Sequence, residues 1–312
     1  MLLASTYSNP KILFNNHLET IYPALFRVVN NVNSNRERIN TNDGDFLDLD
    51  WSLAGSKKLI IISHGLEGNS QKAYILGMIK AVNHLGKDAL AWNYRGCSGE
   101  MNLTDRFYHS GATDDLDLVI NHALNKGYEQ IQLIGFSLGG NLTLKYLGEG
   151  HKNKIESAVV FSVPMDLEKS SFKLMKWFNY LYSRRFLESL KKKFKQKMPP
   201  LPSPITHNEI DRLKSVFQFD ELITAPLHGF KNAQHYYKEC SSLFFLPEIS
   251  TPTLIVNAKN DPFLSESCFP YNILKNHNFV HFETPLKGGH VGFTDFTNPF
   301  YWSEQRVIEF LQ

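Results

Sequence analysis

Ser137 stands at the centre of a Gly-x-Ser-x-Gly pattern, residues 135–139. A short apolar run, residues 131–134, precedes the pattern, and a leucine-rich helical pattern follows it. Between a strand and a helix, this motif forms a nucleophile elbow, in which the serine hydroxyl stands exposed above a sheet. The turn is sharp, and its flanking glycines leave space that a β-carbon would fill. The sequence therefore predicts Ser137 as a nucleophile.

Asp261 and His290 have the residue types and the order that such a serine requires. A serine hydroxyl is a weak nucleophile at neutral pH, so it needs a base and an acid that orients the base. In doubly wound hydrolases the chain order is serine, acid, histidine. Both residues lie in loops that follow predicted strands, and such loops meet at the carboxyl edge of a parallel sheet. We predict that Asp261 holds the tautomer of His290 and that His290 deprotonates Ser137.

Four other side chains compete for the roles of acid and base: Asp114, Asp115, His277 and His281. The two aspartates precede the predicted nucleophile and are typical of a helix start. The two histidines lie in or beside a predicted strand. Each chosen residue also has an alternative without catalysis: Asp261 is a turn acid within Asn-Asp-Pro, and His290 is a surface-loop histidine. The Gly-Gly pair before His290 favours the catalytic interpretation.

Two backbone N–H groups are predicted to stabilise a tetrahedral oxyanion. Such donors are each worth about 3 kcal/mol. Leu138 follows the nucleophile at a helix start, and Leu66 lies in the His-Gly-Leu-Glu-Gly loop after a predicted strand. We predict that the side chain of His64 in that loop is structural. No His, Cys or carboxylate pair has metal-ligand spacing, and no glycine-rich nucleotide loop is present, so no metal or cofactor is predicted.

Composition and charge indicate an ordinary soluble globular protein. The 312 residues are 42% hydrophobic and 21% charged, and the net charge of +2 does not indicate a nucleic-acid-binding protein. The three cysteines form no C-x-x-C pair, which favours a reducing compartment. The first residues lack a signal peptide, and no apolar run reaches the roughly 18 residues of a membrane span. We expect a cytoplasmic location, and a peripheral position at the inner face of the membrane is compatible with it.

Strand and helix patterns alternate from about residue 36 to 164 and resume from about 246 to 312. This alternation predicts an α/β fold with a mostly parallel, doubly wound sheet. Residues 165–245 carry no strand pattern and are predicted as an inserted helical cap, while residues 1–35 are predicted as an N-terminal arm. We therefore expect one domain with a cap rather than two domains.

The predicted cap contains a basic and aromatic segment, residues 169–197, with ten basic residues and one acid. Three interpretations stay open. The aromatic side chains line the mouth of a pocket while the lysines are solvated, or the segment docks on an anionic lipid surface. Nucleic-acid binding is the weakest, because no recognised fold motif accompanies the charge.

Six motifs carry a resemblance to a known family: NHLETIYP (16–23), HGLEGNS (64–70), NYRGCSG (93–99), GFSLGGN (135–141), APLHGF (225–230) and NDPF (260–263). With them, the chain resembles the α/β-hydrolase superfamily, and within it the bacterial YheT-like hydrolases, the eukaryotic ABHD-type lipases and the yeast medium-chain ester synthases. The resemblance covers nearly the whole chain and implies the triad Ser137, Asp261 and His290. It also implies esterase, lipase or acyl-transfer activity. The N-terminal membrane anchor of the eukaryotic members has no counterpart here.

The sequence thus predicts a serine hydrolase that cleaves carboxylic esters of medium or long acyl chains through an acyl-enzyme. A small-molecule or lipid ester is the expected partner, with transient contact to an anionic membrane surface and no nucleic acid. One alternative is an alcohol acyltransferase that uses the same acyl-enzyme. The other is a binding protein that keeps the fold without catalysis.

Overall fold

The computed structural model of the protein describes residues 1–151, 153–198, 201 and 204–312. Positions 199, 200, 202 and 203 of the predicted cap lie outside the described residues. No helix among the described residues is long and apolar enough to cross a membrane.

In the described part of the chain, nine strands form one sheet. Their bounds are β1 Leu2–Leu3, β2 Asn35–Asn40, β3 Phe46–Ser52, β4 Lys58–Ser63, β5 Asp88–Asn93, β6 Gln130–Phe136, β7 Ser157–Phe161, β8 Thr253–Val256 and β9 Val280–Glu283. The order across the sheet is β1-β9-β8-β7-β6-β4-β5-β3-β2. All neighbours from β1 to β5 in this order run parallel, and only the β2–β3 hairpin and its pairing with β5 are antiparallel.

The α-helices of the described residues are α1 Asn16–Phe26, α2 Ala73–His84, α3 Thr113–Asn125, α4 Leu138–Gly148, α5 Leu167–Leu174, α6 Tyr180–Lys197, α7 His207–Arg212, α8 Val216–Phe219, α9 Ala225–Leu227, α10 Ala233–Cys240, α11 Tyr271–Leu274 and α12 Trp302–Phe310. One turn of π-helix, Asp220–Thr224, joins α8 to α9. Short 3₁₀ turns complete several of the connections.

Strand β4 shows why the sheet is covered on both faces. Its side chains alternate, so that Leu59 and Ile61 pack into one apolar cluster while Ile60 and Ile62 pack into the other. All four are fully buried. A continuous apolar run is what a strand needs when helices cover both sides of a parallel sheet. The predicted α/β fold with a mostly parallel sheet is confirmed.

The N-terminal arm contributes more to the fold than its sequence pattern indicates. Strand β1 pairs in parallel with β9 at one edge of the sheet. Helix α1 begins at an asparagine cap, because the side chain of Asn15 accepts a hydrogen bond from the backbone N–H of Leu18. The two-residue strand is too short to produce a periodic signal. Its pairing partner lies far away in the chain, so only the folded chain reveals it.

Between β7 and β8 the described residues form helices and turns and no strand. This segment, from α5 to α10, is called the helical segment below. Apolar contacts within it form two small clusters of their own, one around Tyr236 and Tyr237 and one around Leu187 and Phe194. The helical segment therefore has an apolar interior of its own.

Candidate active site

Ser137 occupies the turn between β6 and α4 with an unusual backbone conformation. Its φ of 53° and ψ of −117° lie outside the regions that side chains with a β-carbon normally adopt. The surrounding structure must stabilise such a conformation, and strain of this kind concentrates at functional sites. The turn places Ser137 at the N-terminus of α4, above the carboxyl end of β6.

Two glycines make this turn sterically possible. A β-carbon at Gly139 would overlap the backbone carbonyl oxygens of Ser63 and His64 at the end of β4. A β-carbon at Gly135 would overlap the backbone of the following helix at Gly139 and Gly140. Strand β4 and helix α4 therefore approach the turn so closely that neither position accommodates a side chain.

The structure brings Ser137, Asp261 and His290 together. His290 Nε2 lies 3.0 Å from Ser137 Oγ, and His290 Nδ1 lies 2.8 Å from Asp261 Oδ2. The three residues follow β6, β8 and β9, whose carboxyl ends lie along one edge of the sheet. Asp261 is almost fully buried, whereas the side chain of His290 is 10% exposed. This exposure leaves the imidazole open to a bound molecule.

The carboxylate of Asp261 has a fixed orientation. Its Oδ1 accepts a hydrogen bond of 2.8 Å from the backbone N–H of Phe263, so that only Oδ2 is directed at His290. The ring of Phe263 covers the imidazole, with 4.2 Å between the ring centroids. With Nδ1–H donated to Asp261, Nε2 carries the lone pair that can accept a proton from Ser137.

Helix α1 holds the loops that carry Asp261 and His290. The buried Glu19 Oε2 accepts hydrogen bonds from Asn260 Nδ2 at 2.6 Å and from the backbone N–H of Gly288 at 2.9 Å. Asn260 Oδ1 in turn accepts from the N–H of Gly289 at 3.1 Å. One carboxylate from the N-terminal arm therefore fixes the distance between the two loops. The sequence motif NHLETIYP marked this position, but no local pattern indicated its role.

Thr20 adds a second contact to the histidine loop. Its hydroxyl oxygen accepts a 2.9 Å hydrogen bond from the backbone N–H of His290 and donates to the carbonyl of Asn16. Gly289, with φ of 57°, lies against the same hydroxyl, and a β-carbon there would lie 2.7 Å from it. The close approach of α1 therefore requires a glycine at position 289, whereas a β-carbon at Gly288, with φ of 138°, would overlap the ring of Phe293.

Leu66 and Leu138 border the cavity that contains Ser137 and His290. Within the described part of the chain, neither backbone N–H donates a hydrogen bond to another residue. The N–H of Leu138 belongs to the first turn of α4, where helix N–H groups lack internal partners and the helix dipole favours negative charge. Both donors are therefore available to an anionic oxygen at Ser137.

Glu67 connects the Leu66 loop to helix α6. Its carboxylate accepts hydrogen bonds from Tyr108 at 2.5 Å, from Lys193 at 3.0 Å and from the hydroxyl of Ser189. Its φ of 54° is unusual for a residue with a side chain. The side chain of Lys193 is only 19% exposed. The interpretation that the lysines of this segment are solvated is therefore wrong for Lys193, because a buried carboxylate pairs with it.

His64 contacts backbone groups of its own loop and of the loop after β5. It is buried, its Nδ1 lies 2.8 Å from the carbonyl of Gly65, and its Nε2 lies 3.3 Å from the backbone N–H of Tyr94. Burial lowers the pKa of His64 to about 3, so the ring is neutral. A neutral ring between two backbone groups supports the structural role predicted for it.

The four competing side chains do not reach the serine. Asp115 pairs with Arg95 in a buried bidentate contact, and Asp114 pairs with Arg106. His281 lies within β9, and His277 contacts backbone groups near the start of that strand. None of the four borders the cavities at Ser137.

Two cavities meet at Ser137. The inner cavity, of about 120 Å³, extends under the helical segment to Ser171, Asp220 and Tyr237. The outer cavity, of about 540 Å³, is bordered mainly by α1, α6 and the start of α2. Five residues border both cavities: Leu66, Ser137, Phe186, Phe263 and His290. A bound molecule can therefore place a reacting bond at Ser137 with one part in each cavity.

Known proteins resemble this chain in sequence and in fold. The family model described as alpha/beta hydrolase fold matches residues 58–296. The chain is 35% identical to the YheT protein of Escherichia coli strain K12, which is described as an esterase, over 95% of this chain and 90% of that protein. It is 31% identical to phospholipase ABHD3 of Mus musculus, over 83% of this chain and 66% of that protein.

Among solved structures, the Pyrococcus furiosus esterase Pf2001 superposes with a TM-score of 0.62. The alignment covers 91% of this chain and 94% of that one, at 21% sequence identity. At this level of identity the likeness concerns the fold.

Proposed function

The chain belongs to the α/β-hydrolase family and is esterase- and lipase-like, and from this premise we propose that it cleaves carboxylic esters through an acyl-enzyme on Ser137. The observation that carries the proposal is the hydrogen-bonded series from Asp261 through His290 to Ser137, with distances of 2.8 and 3.0 Å. Medium- or long-chain acyl esters, including lipid esters, are the proposed substrates, because apolar side chains border much of the inner cavity.

The proposed reaction has two halves. His290 Nε2 takes the hydroxyl proton as Ser137 Oγ attacks the ester carbonyl, and Asp261 stabilises the imidazolium that forms. The N–H groups of Leu66 and Leu138 bind the oxyanion of the tetrahedral intermediate. His290 then gives the proton to the departing alcohol. Water repeats the sequence on the acyl-enzyme and releases the acid.

The proposal is tested by incubation with p-nitrophenyl esters of increasing acyl length and by labelling with a fluorophosphonate. We expect release of p-nitrophenol and covalent labelling of the protein. Folded protein that neither hydrolyses any ester nor reacts with the probe would support the binding-protein alternative. Adding ethanol distinguishes a hydrolase from the alcohol acyltransferase alternative, since an acyltransferase would form the ethyl ester in preference to the acid.

Replacing Glu19 by alanine is expected to lower kcat by about tenfold to a hundredfold. The change leaves the N–H of Gly288 and the amide of Asn260 without their buried acceptor, which costs about 1–3 kcal/mol each. The loops of Asp261 and His290 then lose their fixed separation, and small displacements of catalytic groups have large effects on rate. Steady-state kinetics and thermal unfolding measure the two effects.

The matched control for Glu19 is Glu129→Ala, because Glu129 is exposed. We expect wild-type values for this variant. If Glu19→Ala lowered only the unfolding midpoint and kept the wild-type kcat, α1 would be a structural support and Glu19 would have no positioning role.

We also propose a cytoplasmic location for the protein. It is supported by the free and buried state of Cys97, Cys240 and Cys268.

The helical segment is proposed to act as the cap, with the opening of the outer cavity, called the mouth, between α1 and α6. At this mouth Leu25 and Leu181 are 61% and 74% exposed, and both border the outer cavity.

Contact between this mouth and an anionic bilayer is the proposed route for a lipid ester. Arg185 and Lys72 border the same outer cavity as the exposed leucines, so apolar and positive groups line one opening. This combination suits a surface of anionic headgroups above an apolar interior.

The double variant Leu25→Ser and Leu181→Ser is expected to bind phosphatidylglycerol vesicles at least roughly tenfold more weakly, since each leucine contributes about 1.5–3 kcal/mol when fully buried. Vesicle flotation measures the binding. Phe244→Ser is the control, because Phe244 is 59% exposed beside the far end of α4. Equal binding by the double variant and the control would place the contact elsewhere.

A further inference from the structure

Part of the wall of the inner cavity is polar. Apolar side chains, among them Leu138, Leu167 and Leu190, border part of it. Hydroxyl groups and a carboxylate border the remainder: Ser170, Ser171, Asp220, Thr224, Tyr236 and Tyr237. A cavity that binds only an alkyl chain is expected to have an apolar wall, because burying each polar side chain costs free energy of desolvation.

Asp220 is a hydrogen-bond acceptor in this polar part of the wall. Its Oδ1 accepts a 2.6 Å hydrogen bond from the hydroxyl of Thr224, and its Oδ2 accepts a 2.7 Å hydrogen bond from the hydroxyl of Tyr237. No cation of the described residues forms a salt bridge with it. A carboxylate has about four acceptor positions. Acceptor capacity therefore remains on a group that borders the cavity.

The local backbone places Asp220 in the cavity wall. It begins the π-helical turn Asp220–Thr224, which interrupts the α-helical path from α8 to α9. The additional residue of a π-turn redirects side chains, and such turns occur frequently at functional sites. Here the turn brings the carboxylate and the Thr224 hydroxyl to the same wall.

The chemical state of Asp220 agrees with a function as an acceptor. Burial raises its pKa to about 6, although the hydroxyls of Thr224 and Tyr237 act to lower it. At mildly alkaline pH the group is therefore a carboxylate in a water-poor cavity. A neutral hydrogen-bond donor from a bound molecule would stabilise this charge, and hydrogen bonds to ionised groups are about twice as strong as neutral ones.

We propose that the inner cavity binds an ester chain that ends in a hydroxyl group, and that Asp220 accepts the hydrogen bond from this hydroxyl. The inference rests on the proposed esterase function and narrows its substrate class. Asp220 is then a specificity-determining residue, and the apolar part of the cavity binds the methylene groups between the ester and the hydroxyl. The hydroxyl-bearing chain belongs either to the acid or to the alcohol of the ester.

Two series of esters test the proposal at mildly alkaline pH. The first compares p-nitrophenyl hexanoate, octanoate and decanoate with their ω-hydroxy counterparts. The second compares hexyl, octyl and decyl acetates with the monoacetates of the corresponding diols. In this series, hydrolysis is measured by the release of acetic acid. For the wild type, we expect kcat/KM for the hydroxylated ester to exceed that for its unsubstituted counterpart by at least about tenfold. This preference should occur in one of the two series and at one of the three chain lengths.

Variants assign this preference to Asp220. In Asp220→Leu the ratio should fall to about one, and in Asp220→Asn, which keeps the shape of the side chain, it should fall to an intermediate value. Tyr237→Phe is the matched comparison, because it removes a partner of Asp220 and keeps the carboxylate, so the preference should persist. The Asn variant keeps the test valid if the Leu variant fails to fold.

The possible outcomes separate the two proposals. Hydrolysis of p-nitrophenyl acetate without a preference for hydroxylated esters in either series would overturn the inference and leave the proposed function intact. A preference that persists unchanged in both Asp220 variants would also overturn it. If no ester is hydrolysed and no fluorophosphonate reacts, the proposed function fails, and the inference fails with it.

Discussion

A Ser137→Ala variant is expected to lose about 10⁶-fold in kcat for p-nitrophenyl esters and to lose all labelling by a fluorophosphonate. The change removes the nucleophilic oxygen that lies 3.0 Å from His290 Nε2 and leaves the base and the acid in place. Residual activity should come only from water attack assisted by the N–H groups at the cavity. Steady-state kinetics and in-gel fluorescence measure the two losses.

The control for this variant is Ser56→Ala, because Ser56 lies just before β4, at the edge of the sheet opposite the cavity. Its activity and labelling should equal those of the wild type. The unfolding midpoint of Ser137→Ala should stay close to the wild-type value, since the substitution removes only a hydroxyl. Labelling that persists in Ser137→Ala would show that another residue is the nucleophile.

An Asp261→Asn variant is expected to lose about 10⁴-fold in kcat while it remains folded. The N–H of Phe263 donates to Asp261 Oδ1, so the carboxamide oxygen of asparagine should face Phe263. Its NH₂ group then faces His290 Nδ1 and favours the tautomer with the proton on Nε2. In that tautomer His290 cannot accept the proton of Ser137, and the base is lost.

The effect of Asp261→Asn is compared with that of Asp105→Asn, because Asp105 is an exposed acid. Steady-state kinetics should give wild-type values for the control. A decrease in kcat of less than tenfold in Asp261→Asn would mean that another acid orients His290. Asp114 and Asp115 are already paired with arginines, so neither is available for that role.

Helices α1 and α6 contact the loops that surround Ser137. Glu19 holds the Asp261 and His290 loops, and Lys193 holds Glu67 beside the N–H of Leu66. These two helices also flank the mouth of the outer cavity. Any displacement of α1 or α6 would therefore alter the positions of the loops that carry Asp261, His290 and Leu66.

The sequence by itself determined the parts of this protein that depend on neighbouring residues. The apolar run of β6, the glycines around Ser137 and the start of α4 lie within about 20 residues, so local sterics and periodicity suffice to predict them. The alternation of strands and helices predicted the parallel sheet, and the position of Asp261 and His290 after strands placed them at its carboxyl edge.

Only the tertiary structure decided which distant residues meet. Glu19 and Asn260 are 241 positions apart and form a 2.6 Å hydrogen bond. Lys193 is in a basic run that reads as solvated, yet it pairs with the buried Glu67. Asp220 carries no sequence motif, and a π-turn places it in the cavity. Such contacts depend on the path of the whole chain, because a side chain's partner is set by packing and not by its sequence neighbours.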